Sequence, residues 1–194
     1  VYEPNVPPPN VTREAYYQLR TLYGNERVVL RIDPLILPFE KNTHLCDIYQ
    51  SQLLFAQQTD LMFNDENITY PRPRVRVSFM DWYPHARARF ENLGEGRLAP
   101  NFFHYPLENR IASYKDMCGV TKCEVEICGE PDMKCTGCVS IKDLEAMGLN
   151  KDNVKSGGYQ RLFCMCLAEK KELLNVRDQC PNGCFYCYWK SKDK

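Results

Sequence analysis

The chain has 194 residues, 44% of them hydrophobic, which suffices for one sizeable domain that buries its own core without disulfide or metal staples. Its 25 basic residues balance 25 acidic ones, so no net charge draws it to nucleic acid or an anionic membrane, and a local basic groove is the only charge-based route to nucleic acid left open. No apolar run has the length of a membrane span or the form of a signal peptide, and eleven cysteines, an odd number in a long chain, fit a reducing cytoplasm better than a secreted disulfide framework.

The chain opens without methionine on Val1-Tyr2-Glu3-Pro4-Asn5-Val6-Pro7-Pro8-Pro9, an extended run typical of a loop inside a domain, which predicts a preceding segment outside this sequence. Asn10 or Thr12 is placed to cap a helix over 13–23, with Ala15, Tyr16, Leu19 and Leu22 on one face and Gly24 as the stop. Arg27-Val28-Val29-Leu30-Arg31-Ile32 reads as a buried strand ended by Asp33-Pro34. A helix over 43–58 follows, then a loop from Thr59 to Pro73. Arg74 to Met80 reads as a second strand, ending at Asp81 before the turn Trp82-Tyr83-Pro84, and a short helix takes in Ala86 to Asn92. Beyond a loop around Gly94 to Tyr105, helix is predicted from Leu107 to Met117, a strand at Glu124-Val125-Glu126-Ile127, and a last helix over 141–147. This alternation predicts an α/β fold of about three parallel β-α units. Residues 1–150 form that unit domain, and 151–194 an irregular cysteine-rich tail packed on it.

The most specific motif is Cys180-Pro181-Asn182-Gly183-Cys184-Phe185-Tyr186-Cys187, whose CxxxCxxC spacing suits three irons of a 4Fe-4S cluster and leaves one iron open. A zinc knot completed by a distant cysteine and a disulfide framework are the alternatives. A second group, Cys118, Cys123, Cys128, Cys135, Cys138, Cys164 and Cys166, is dense enough for another four-ligand site, with Cys135-Thr136-Gly137-Cys138 as a CxxC knuckle. It reads as an auxiliary cluster or zinc site, as the source of a fourth ligand (Cys164 or Cys166) for the first cluster, or as buried small apolar residues. Cys46 reads as core, and His44, His85 and His104 have no metal-like spacing.

The C-terminal spacing resembles the signature of radical S-adenosylmethionine enzymes, with Tyr186 as the aromatic residue before the third cysteine and Tyr188 completing a YCY similar to spore photoproduct lyase-like enzymes. The resemblance implies that Cys180, Cys184 and Cys187 ligate the cluster, and that S-adenosylmethionine chelates the open iron and is cleaved by one electron to a 5'-deoxyadenosyl radical. Asp33, Asp81 and Glu130, at strand ends, would then contact the cofactor's ribose or amine or handle a proton; the bland reading makes the two aspartates N-caps. Arg31 reads as partner to one of these acids, and Arg161 as neutralising a cluster's charge. Tyr186, with Phe185, Tyr188 and Trp189, would stack on adenine or a flipped nucleobase, or exclude water.

Glu3-Pro4-Asn5-Val6-Pro7-Pro8, Val29 to Leu35, Val77 to Tyr83, Cys128-Gly129-Glu130, Gly137-Cys138, Gln160-Arg161, Cys164-Met165-Cys166 and Cys180 to Tyr188 form a series spread along almost the whole chain. In that order they resemble segments in the C-terminal part of the family called domain of unknown function 1848, described as radical S-adenosylmethionine-like. Asn182 stands where a histidine is common, Val139 or Ser140 replaces an acid, and Gly157-Gly158-Tyr159 is not the Gly-Gly-Glu that radical enzymes commonly carry. This resemblance implies a partial or permuted TIM-like barrel whose earliest units lie on a separate chain or outside this sequence, with the tail swung over its C-terminal rim. The function expected is that of an iron-sulfur protein with an unknown substrate; the alternative is a non-catalytic interaction module, stabilised by zinc or a cluster, within a larger assembly.

Overall fold

The computed structural model describes residues 3–38, 43–61, 73–92, 100–154, 163–167 and 180–189. Its centre is a three-stranded sheet, β1 (Val29–Leu35), β2 (Arg74–Phe79) and β3 (Glu124–Ile127), parallel throughout and ordered β1-β2-β3. Val29 pairs with Arg74 and Arg74 with Glu124, so the three strands start level and run toward one edge, β3 stopping opposite Val77. The α/β class and the three parallel units are as expected, and the described residues close no barrel.

Among the described residues the α-helices are α1 (Pro9–Tyr23), α2 (Thr43–Leu61), α3 (Pro84–Phe90), α4 (Leu107–Val120) and α5 (Ile141–Ala146). Helix α1 starts earlier than Asn10 or Thr12 would allow. Pro9 opens it and Pro8 precedes it without any side-chain cap, because a proline has no N–H to satisfy in the first turn. The predicted apolar face is only partly used, since Leu19 and Leu22 face solvent while Tyr16 and Arg20 are buried. Arg20 determines this orientation by laying its guanidinium over the Tyr16 ring and bonding Asn25 through Nε at 3.1 Å. Gly24 ends the helix as expected, at φ +87°.

Strand β1 runs past its expected stop, taking Asp33-Pro34 inside it with a cis peptide, and the register slips between Ile32 and Leu35. Gln52 of α2 satisfies the disturbed backbone there, donating to the Pro34 carbonyl at 2.7 Å and accepting from the Ile36 N–H at 3.0 Å. Most of the predicted loop at 59–73 falls outside the described residues; Thr59 to Leu61 belong to α2.

The two faces of the sheet differ in chemistry. Leu30, Ile32, Val75, Val77 and Ile127 make the apolar face, and α2 and α4 pack on that side of the core. On the other face Arg74 and Arg76, both buried, share the buried Glu126 at 2.7 and 2.5 Å, and each also meets Asp143 of α5. Burial opposes ionisation of Asp143, but the Ser140 N–H, Arg76, the Ser140 hydroxyl and Arg74 outweigh it and hold this carboxyl below its usual range. Two arginines on adjacent rungs of one strand repel each other, so the carboxylate between them is what makes β2 tolerable. Glu126→Ala is expected to cost about 3 kcal/mol of stability, the low end for breaking a buried ionic set because Asp143 remains, as read from a urea unfolding midpoint.

Candidate functional site

The C-terminal edge of a parallel sheet is where side chains from successive strands meet without blocking one another. Here that edge opens on a cleft of about 550 Å³, lined by Asp33 within the last part of β1, Asp81 after β2, Cys128 after β3, and Cys138, Cys164, Cys184 and Cys187 from loops. A second cleft of about 630 Å³ adjoins it, sharing Arg31, Asp33, Pro34 and Tyr186 and continuing to Glu3, Asp47 and Phe55. Members of both cysteine groups, separate in sequence, thus line one space.

The CxxxCxxC loop is held from two sides. Asn5 of the N-terminal segment donates through Nδ2 to the Pro181 carbonyl at 2.8 Å, and Tyr186 donates its hydroxyl to Glu3. Gly183 turns the loop at φ +64°, a conformation open to glycine at no steric cost. From the other side Arg89 of α3 donates to the carbonyls of Phe185, Cys187 and Trp189 at 3.3, 2.8 and 2.8 Å, while the His85 ring bonds the Tyr188 carbonyl at 2.8 Å. All three motif cysteines are half-buried. Burial pushes the Cys184 thiol up, against a Tyr186 hydrogen bond that lowers it, and burial followed by Glu3 pushes the Tyr186 hydroxyl up.

The second group stands in pairs. Cys128 and Cys138 have Sγ atoms 2.9 Å apart, as do Cys164 and Cys166, and the Cys138 N–H donates to Cys166 Sγ at 3.2 Å. Arg31 donates to Cys138 Sγ at 3.0 Å and pairs with Asp33 at 2.7 Å. The hydrogen bond to Cys138, then burial, pushes the Cys128 thiol up; burial and then Cys164 push up Cys166. Cys135 is not part of this arrangement, because its sulfur lies 3.2 Å from both the N–H and the carbonyl of Glu130, so the CxxC knuckle does not act as a pair. Among the described residues no three His, Cys, Asp or Glu side chains are disposed around a common point as ligands of one ion.

The acids divide. Asp33 accepts from Arg31 and Ser78, and Asp81 from His104 Nδ1 at 2.7 Å; neither caps a helix, and both face the cleft. Glu130 is buried inside the protein, accepting from the Phe79 N–H at 2.7 Å and from Arg110 at 3.3 Å. That makes it a brace between β2 and α4, and it lines neither cleft. Arg161 and the Gly157-Gly158-Tyr159 segment lie outside the described residues.

The model of the family described as Domain of unknown function (DUF1848) matches residues 1–189. The chain belongs to this family. No curated protein and no solved structure matches it. No described helix is long and apolar enough to cross a membrane.

Within this DUF1848 chain, Arg89 is the residue holding the CxxxCxxC loop that sequence reading missed. Its only signal is a basic residue in the last turn of a short helix, and its three targets are backbone carbonyls almost a hundred positions away. In Arg89→Ala, amide exchange over residues 184–189 is expected to quicken roughly tenfold or more while the sheet amides stay unchanged, since each hydrogen bond from a charged donor is worth about 1.5–3 kcal/mol.

Proposed function

We propose that this protein is an iron-sulfur protein in which Cys180, Cys184 and Cys187 hold a 4Fe-4S cluster at the mouth of the sheet-edge cleft. The observation that carries this reading is that Cys184, Cys187, Asp33 and Asp81 all line that single cleft. The donor set fits such a group in kind: three thiols spaced for separate irons, on a loop tied down at its carbonyls by Arg89 and His85. A cluster held by three thiolates supplies an open iron position and one electron to a small molecule.

S-adenosylmethionine is the molecule that the CxxxCxxC resemblance suggests for that position. Asp33 and Asp81 supply negative charge on the cleft wall suited to its amine and sulfonium, and Tyr186 and Trp189 supply aromatic surface for a purine. Arg31 answers Asp33, so one carboxylate is already partnered and Asp81, shared with His104, is the better candidate for holding or passing a proton. A partial, TIM-like barrel is the finer fold we favour, supported by helices packed on the apolar face and a charged ladder on the other.

The test is anaerobic iron and sulfide analysis followed by electron paramagnetic resonance of the reduced protein, with and without S-adenosylmethionine. About four irons per chain with a spectrum that the cofactor alters supports the full reading. Iron with an unaltered spectrum leaves an electron-transfer protein, and a chain that takes up no iron ends the proposal.

A further inference from the structure

Cys128, Cys138, Cys164 and Cys166 are left without a role by the cluster at the motif, yet four thiols drawn from two distant segments do not gather by chance. Three are buried outright, and Cys138, the fourth, meets the Arg31 guanidinium. The two segments are brought backbone to backbone. The Leu167 N–H donates to the Val139 carbonyl at 2.9 Å, and at Gly137 a side chain has no room, because a Cβ there would fall 2.6 Å from the Met165 carbonyl.

We propose that these four cysteines form a second metal site, a closed tetrathiolate site for a single zinc ion, distinct from the cluster at Cys180, Cys184 and Cys187. Two sulfurs on a tetrahedral zinc sit about 3.7 Å apart, given Zn–S bonds of about 2.3 Å. Within each pair the sulfurs lie 2.9 Å apart, each thiol resting against its neighbour, and the two pairs do not surround one point, so zinc enters by opening each pair by roughly 0.8 Å, drawing the pairs together around itself and displacing one proton for every protonated thiol. A four-iron cube spreads its sulfurs much farther than these pairs allow, which is why one ion is the better occupant. Four thiolates on a divalent ion leave a net charge of −2, and the groups placed to offset it are present. Arg31 reaches Cys138 Sγ, and the Cys138 N–H reaches Cys166 Sγ at 3.2 Å. With all four positions filled by protein, the ion binds no substrate; it fastens the 163–167 segment to the loop after β3 and so holds one wall of the cleft.

The experiment is metal analysis of the full chain after reconstitution with zinc, alongside the Cys138→Ser/Cys166→Ser double variant, Cys135→Ser and Cys184→Ser. One zinc is expected in the parent chain, Cys135→Ser and Cys184→Ser, and less than a tenth of that in the double variant. Iron measured in the same samples separates the two sites: Cys184→Ser loses iron and keeps zinc. In case the double variant does not fold, the parent chain is titrated with cobalt(II), where intense thiolate-to-metal charge-transfer and tetrahedral bands, displaced by zinc, are expected. The proposal is overturned by a parent chain with no zinc and no such bands, by iron in the tetrad in place of zinc, or by zinc that survives the double substitution.

Discussion

Cys184→Ser is expected to leave a chain that folds but retains iron at least about tenfold less well than the parent, measured as iron per chain after gel filtration without oxygen. Cys184 is the middle of the three motif thiols, and it lines the cleft. Serine keeps the size of the side chain and the hydrogen-bonding character of the position but offers a hard, protonated oxygen in place of a soft thiolate. The loop itself is held through carbonyls by Arg89 and His85 and through Pro181 by Asn5, none of which the substitution touches. Loss of iron with an unchanged circular dichroism spectrum therefore isolates ligation from folding. Full iron retention in this variant would remove the motif as the cluster site.

Gly137→Ala is expected to lower stability by about 3 kcal/mol, a fall in melting temperature of roughly 6–12 °C for a chain of this size. Two causes act together. Gly137 sits at φ +78°, which disfavours any side chain, and its added Cβ would lie 2.6 Å from the carbonyl carbon and oxygen of Met165 and 2.8 Å from the nitrogen of Cys166. These are backbone atoms, so the strain can be relieved only by moving the 163–167 segment away. Gly119, in α4 with nothing within 4 Å of its Cβ position, provides the control: Gly119→Ala should be neutral or slightly stabilising. Thermal scans of the two variants side by side check both.

The elements legible in the sequence were those in which pattern and punctuation agree. Strand β3 is found with its expected ends because an alternating Val125 and Ile127 run is followed within two residues by Gly129. Helix α1 was found without its correct face, since an apolar moment does not anticipate that the stem of Arg20 will be buried in place of Leu19 and Leu22. The thiols show the same limit more sharply. Spacing pairs Cys135 with Cys138, whereas the fold pairs Cys138 with Cys128, ten positions earlier, and gives Cys135 to the backbone of Glu130. Glu130 itself looked like a site acid because it follows a strand and a cysteine, and only the Phe79 N–H it must satisfy shows why it points inward. Sequence proximity identifies candidate ligands; which of them meet is decided by the approach of segments that no local pattern records.

The loop bearing Cys184 is tied to Glu3 and Asn5, which lie 183 and 176 positions from their partners. Contacts of that separation bring the largest loop-closure entropy and form late, after the parallel sheet has supplied a surface on which both chain segments can dock. The walls of the cleft thus come from opposite ends of the residue order, and the motif takes its shape from docking onto the sheet, not from the sequence around it.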